Sequence, residues 1–190
     1  MLFRSLTFDF FGHGRSPGAL TFDNAATNRL AMQVLAAKDE LLSLSGLTDD
    51  QLIFWGHSMG ARVGLQAAML NEGPLGGLIL LGTQVNLAPH TQSEFFTGIK
   101  DTELDWVREL GPTSPSSPIL LVSGRWDDIL PPENAKLLYK KLIGESEDPD
   151  RTLVVFDHLI HNYEVFSPRV LSVSKRWIAS QLDVTLSMSV

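Results

Sequence analysis

Five residues, Gly56-His57-Ser58-Met59-Gly60, combine a hydroxyl nucleophile with a glycine two positions to either side. A serine between glycines suits a sharp, strained turn that lifts its oxygen clear of the backbone, where bulkier neighbours would collide. The context makes the pattern specific. An apolar run, Gln51 to Trp55, leads into it, and a small-residue stretch, Ala61 to Leu70, follows it. A strand-to-helix turn of this kind points the helix's leading N–H groups at the serine, with the Met59 amide as the expected oxyanion donor. The chemistry is acyl transfer through an alkoxide-like attack by Ser58.

A serine hydroxyl needs a base at neutral pH, and the chain has five histidines. His13, His57 and His90 fall too early for the order serine, acid, histidine. His158 and His161 both follow the last strand, at the edge where sites in parallel sheets form. His158 comes directly after the strand and is the expected general base. His161 is a secondary candidate, expected to pack against the rim, and His57 is read as a packing or hydrogen-bonding neighbour. The acid is sought in Ser123-Gly124-Arg125-Trp126-Asp127-Asp128, the loop after the preceding strand. Asp127 is expected to orient the imidazole. Asp128 is the secondary candidate, expected to face solvent or start a helix.

These residues must be carried by a framework, and the pattern of elements supplies one. Strands are expected at Ser5–Phe10, Gln51–Trp55, Gly77–Leu81, Ile119–Ser123 and Leu153–Phe156, separated by helical stretches. Alternation of this kind builds a mostly parallel sheet with helices on both faces. Leu30, Val34, Ala37, Leu41 and Leu44 recur at helical spacing between Asn24 and Ser45, and Gly46 marks a stop. Pro132–Ile143 reads as a helix. Ser167-Pro168 is a helix start, with Val170, Val173, Trp177 and Leu182 on its inner face and Phe166 just ahead. The stretch from Thr91 to Leu110 reads as one or two helices. A single domain, residues 1–183, with a patternless tail, residues 184–190, accounts for the 190-residue chain.

Composition narrows the function classes. Apolar residues make up 44% and charged residues 19%, which is ordinary globular material. The net charge of −7 repels phosphate backbones, so nucleic acid is not an expected partner. No apolar run approaches the roughly 18 residues of a membrane span. There is no cysteine, hence no disulfide or thiolate metal site, which fits a cytoplasmic setting. The expected partner is a small acyl ester, with no metal and no cofactor; the alternatives are a carbon–carbon bond hydrolase or lyase using the same three residues, and a catalytically silent binding protein. Substrate identity and oligomeric state are not encoded in these patterns.

Taken together, Asp9-Phe10-Phe11-Gly12-His13-Gly14-Arg15-Ser16, Gly56-His57-Ser58-Met59-Gly60, Gly124-x-x-Asp127-x-x-x-Pro131 and Asp157-His158 resemble the α/β-hydrolase superfamily. The likeness covers nearly the whole chain. His158-Leu-Ile-His161 is similar to the monoacylglycerol-lipase and esterase branch, where the first histidine of the pair is the catalytic one. The resemblance also favours Asp127 over Asp128 and makes Asp9 and His13 structural. It implies that Ser5–Phe10 corresponds to the family's fourth strand, so the chain is expected to be an N-terminally truncated form. The family's third strand, which lies between the fourth and fifth, and its His-Gly loop would then be missing. Such a chain would retain Met59 without its partner donor, a loss worth roughly 2.7–4 kcal/mol in the transition state. Its sheet must close a gap or leave strand edges unpaired. The short stretch between Leu81 and Ile119 leaves room for a small cap at most.

Overall fold

The computed structural model describes residues 5–19, 24–83, 115–143, 148–161 and 167–182. Four parallel strands form one sheet in the order β1 (Ile53–His57), β2 (Gly77–Leu81), β3 (Ile119–Gly124), β4 (Arg151–Phe156). The helices are α1 (Asn24–Ser45), α2 (Met59–Leu70), α3 (Pro132–Ile143) and α4 (Pro168–Gln181), with a short 3-10 turn at Asp49–Gln51 before β1. This is the α/β architecture expected from the alternating pattern.

The two central strands are buried throughout, and apolar but for Ser123, because both their faces are covered. Side chains alternate along each strand. Leu78, Leu80, Ile119 and Leu121 therefore pack against Ala61, Leu65 and Ala68 of α2 and Leu138 and Leu142 of α3. Ile79, Leu81, Leu120 and Val122 point the other way, onto Val170, Trp177 and Ile178 of α4. Ser167 starts α4 as expected, its hydroxyl accepting the Val170 N–H at 3.3 Å. Gly46 ends α1 at φ +68°.

Three expectations change. Leu30 and Val34 of α1 pack with Ala31 against Val63 and Ala67 of α2, but Leu44 is 69% exposed. The buried apolar contacts of α1 lie in its first half, so the apolar stripe outruns its burial. More consequentially, Ser5–Phe10 forms no strand. A strand exists through its ladder, and here the edge of β1 is separated from this segment by an apolar groove of about 540 Å³. Leu6, Phe8, Phe10, Leu35, Leu41 and Phe54 are among the groove's lining residues. Of the two outcomes expected for the sheet, a closed gap or an unpaired edge, the described residues take the second. The segment is held at its end by a loop instead. The Phe11 N–H donates to Gln33 at 2.9 Å, the Arg15 N–H to the Asp9 carboxylate at 2.9 Å, and the Ser16 hydroxyl to the Asp9 carbonyl at 2.7 Å. Asp9 is thus a loop-organising residue. Third, two strand bounds shift: β1 runs Ile53–His57 rather than Gln51–Trp55, and β4 begins at Arg151 rather than Leu153. The Arg151 guanidinium is buried and donates to the carbonyls of Ser117 and Pro115, tying the two chain segments before β3 and β4.

The expected helices of Thr91–Leu110, Phe166 and the tail lie outside the described residues. Among the described residues, no helix is long and apolar enough to cross a membrane.

Candidate active site

Ser58 sits between the last residue of β1 and the first of α2, with φ 54° and ψ −119°. It is the one non-glycine residue with positive φ among those described. A strained serine at a strand-to-helix turn is what the motif's chemistry requires. Its side chain does not cap α2 and so is free to turn toward a partner. Met59 occupies the first position of that helix, where leading amides have no intrahelical acceptor, and its N–H is available beside Ser58.

The two flanking glycines play unequal parts. A Cβ on Gly56 would lie 2.6 Å from the Gly60 carbonyl oxygen and 2.7 Å from the Ala61 nitrogen. The strand and helix backbones can meet only at a glycine. At Gly60 the same test finds nothing within 4 Å. The crowding expected on both sides of Ser58 therefore exists on one.

Asp127 follows the end of β3 and is 5% exposed. Its Oδ1 accepts the N–H groups of Ile129 and Leu130 at 3.1 and 2.7 Å, which aims Oδ2 across the top of the sheet. Oδ2 lies 2.8 Å from Nδ1 of His161, and Nε2 of the same ring lies 3.0 Å from the Ser58 hydroxyl. A carboxylate oxygen can only accept, so Nδ1 carries the proton and Nε2 is left as the acceptor of the serine O–H. That is the tautomer of a general base. Asp128, as expected, is exposed.

The histidine that the structure brings to Ser58 is not the one expected there. His158 is exposed and packs edge-on to Trp126, with ring centroids 4.4 Å apart, away from Ser58 and Asp127. His161, expected at the rim, is buried and joins them. The reason is the width of the sheet. β4 is three strands from β1, roughly 14 Å at about 4.8 Å per strand spacing, so a histidine directly at the end of β4 stops short. The chain must first cross β3. It does so at Gly124, where a Cβ would stand 2.0 Å from the Leu159 carbonyl oxygen.

One neighbour of the site escaped the sequence reading, and another was read without its partner. Gly82 follows β2 at φ +50°, and a Cβ there would come within 3.3 Å of both Asp127 Oδ2 and His161 Nδ1. A glycine directly after a buried strand is the available signal, but nothing in the sequence says what it faces. His57 was expected to hydrogen-bond, and its partner is the His161 backbone: Nε2 lies 2.9 Å from that carbonyl. The two rings lie 4.8 Å apart. Burial, then the facing His161, hold the His57 imidazole below its ordinary pKa. Among the described residues no three His, Asp or Glu side chains are grouped to hold a metal ion.

The sequence profile of the family described as alpha/beta hydrolase fold matches residues 3–110, more than half of the chain. A Klebsiella pneumoniae protein named "Putative carbamate hydrolase RutD" is 30% identical over 93 residues, 49% of this chain and 32% of that protein. The match thus spans about a third of the length of the curated relatives. The Pyrococcus furiosus esterase Pf2001 superimposes with a TM-score of 0.67 at 18% identity, covering 91% of this chain and 68% of that one. Arabidopsis thaliana SOBER1 superimposes with a TM-score of 0.61 at 18% identity, covering 84% and 66%. At such identities these two structures share the fold, which does not by itself carry function. By its profile match and by its architecture, the chain belongs to the alpha/beta hydrolase fold family.

Proposed function

We propose that this chain is a serine hydrolase acting on a carboxylic ester through an acyl-enzyme, with Ser58 as nucleophile, His161 as general base and acid, and Asp127 as the orienting carboxylate. The observation that carries this reading is the unbroken hydrogen-bond chain Ser58 Oγ, His161 Nε2, His161 Nδ1, Asp127 Oδ2, with links of 3.0 and 2.8 Å. His161 takes the Ser58 proton as Oγ attacks the acyl carbon. Negative charge collects on the former carbonyl oxygen, beside the Met59 N–H. The imidazolium, steadied by Asp127, then protonates the departing alkoxide, and the acyl group stays on Ser58. Water enters by the reverse choreography and releases the acid. No step calls for a metal or organic cofactor.

The name of the Klebsiella relative favours a second substrate of the same chemistry, a carbamate, whose carbonyl carbon is open to the same attack. Parallel turnover of an aryl ester and the matching aryl carbamate distinguishes the two.

The central test is labelling of the folded, full chain with a fluorophosphonate, followed by peptide mass spectrometry. The expected adduct is on Ser58, absent from Ser58→Ala and from denatured protein. Folded chain that takes up no label at Ser58 overturns the proposal.

A further inference from the structure

His57 neighbours the nucleophile in sequence and touches the base in space, yet the mechanism above gives it no proton to move. Its Nε2 lies 2.9 Å from the backbone carbonyl of His161, 104 positions away in the chain. The carbonyl can only accept, so Nε2 carries the hydrogen and donates it. The ring lies 4.8 Å from the His161 ring at an interplanar angle of 42°, so the contact is made by both backbone and side chain.

His161 needs such an anchor. It lies five residues past Phe156, the last residue of β4, and no strand ladder fixes its backbone. Ser58, by contrast, is fixed at the end of β1, with its N–H donating to the Leu81 carbonyl at 2.9 Å. His57 is the last residue of that same strand. A single strand end therefore holds the nucleophile through one residue and the base through the residue before it.

We infer that His57 is a positioning residue: by donating its Nε2–H to the His161 carbonyl, it sets the distance between the His161 imidazole and the Ser58 hydroxyl. Burial and the facing His161 hold its pKa below the ordinary value, so the role rests on an Nε2–H donor of the right reach rather than on a charge. A packing residue would be replaceable by any side chain of similar size; a donor is not. The inference rests on the assignment of Ser58 and His161 above, and its test separates the two.

Glutamine and methionine are close in size and differ in the donor. His57→Gln and His57→Met of the full chain are compared with wild type by far-ultraviolet circular dichroism, by turnover of an aryl acetate and by the low-field proton resonance of the Asp127–His161 hydrogen bond. His57→Gln is expected to keep the resonance and most of kcat. His57→Met is expected to lose or broaden the resonance and to lower kcat about 10- to 100-fold at unchanged KM, the scale of a small misplacement of reacting groups. A folded His57→Met protein that keeps both resonance and rate overturns the inference, as does His57→Gln falling as far as His57→Met.

Should His57→Met not fold, wild-type protein decides. Scalar coupling between His57 Nε2 and the His161 carbonyl carbon is expected, and its absence overturns the inference. If wild type neither labels at Ser58 nor turns over ester, the hydrolase reading falls. The resonance and coupling still decide what His57 does for His161.

Discussion

The backbone of Leu159 rests on Gly124 so closely that a Cβ on the glycine would lie 2.0 Å from the Leu159 oxygen and 2.6 Å from its carbonyl carbon. The loop from β4 can cross the end of β3 only because Gly124 has no side chain, and His161 reaches Ser58 only because the loop crosses there. Gly124→Ala should displace the loop, costing about 1–3 kcal/mol of stability as backbone moves to relieve the overlap. It should also lower kcat/KM by about a hundredfold or more, through the misplaced base. Chemical denaturation and aryl-ester kinetics read the two effects separately. A variant of wild-type activity would show that the loop has another route.

The two histidines and two aspartates of these loops should differ sharply. His161→Ala is expected to reduce kcat/KM by about a thousandfold or more, and Asp127→Asn by a comparable amount, since each breaks the chain to Ser58. His158→Ala and Asp128→Asn remove exposed side chains outside that chain and should stay within about twofold. Steady-state kinetics at saturating and limiting ester provide the comparison. A large loss in His158→Ala with none in His161→Ala would return the role to His158.

Gly56 and Gly60 make an internal control for the elbow. Gly56→Ala places a methyl against the Gly60 carbonyl and should destabilise the fold and suppress fluorophosphonate labelling together. Gly60→Ala meets open space inside a helix and should be neutral or stabilising by up to about 1 kcal/mol, with labelling retained. Melting temperatures and labelling rates of the two variants test the asymmetry.

Acid stability should carry the mark of Asp49. Its carboxylate accepts hydrogen bonds from Asn71 at 2.9 Å and Lys38 at 3.0 Å, and these hold its pKa below the ordinary 3.8, the Asn71 bond first. A carboxylate depressed in the folded state stabilises above its unfolded pKa and loses that contribution as pH falls through the folded value. Asp49→Asn should therefore be less stable than wild type at neutral pH, by up to about 1 kcal/mol for a pair still open to solvent screening on its outer side. The difference should close on acidification below the ordinary carboxylate range. Thermal melts between pH 7 and pH 3 provide the test, and a constant gap across that range would contradict it.

Local signals carry a good part of this protein. Ser58 is legible because strain, glycine and a strand-to-helix switch are properties of adjacent residues. The helix starts at Ser167 and Pro132, the stop at Gly46 and the strand Gly77–Leu81 are legible for the same reason. The exposed position of Asp128 also agrees with what its neighbours suggest, and the structural part of Asp9 with what the resemblance implies.

What the sequence could not settle are relations between distant backbones. His158 and His161 are three residues apart and chemically identical, and proximity to the strand end favours the one that the fold does not bring to Ser58. Only the order β1-β2-β3-β4 shows how far the chain must travel, and only the contact of Leu159 with Gly124 shows the path. Ser5–Phe10 has the apolar content of a strand, but a strand is a pairing, and the described residues put a groove where its ladder would be. The strained serine was thus determined by covalent neighbours, which a sequence states outright. The histidine that reaches it was decided by the width of a sheet, which exists only once the chain has folded.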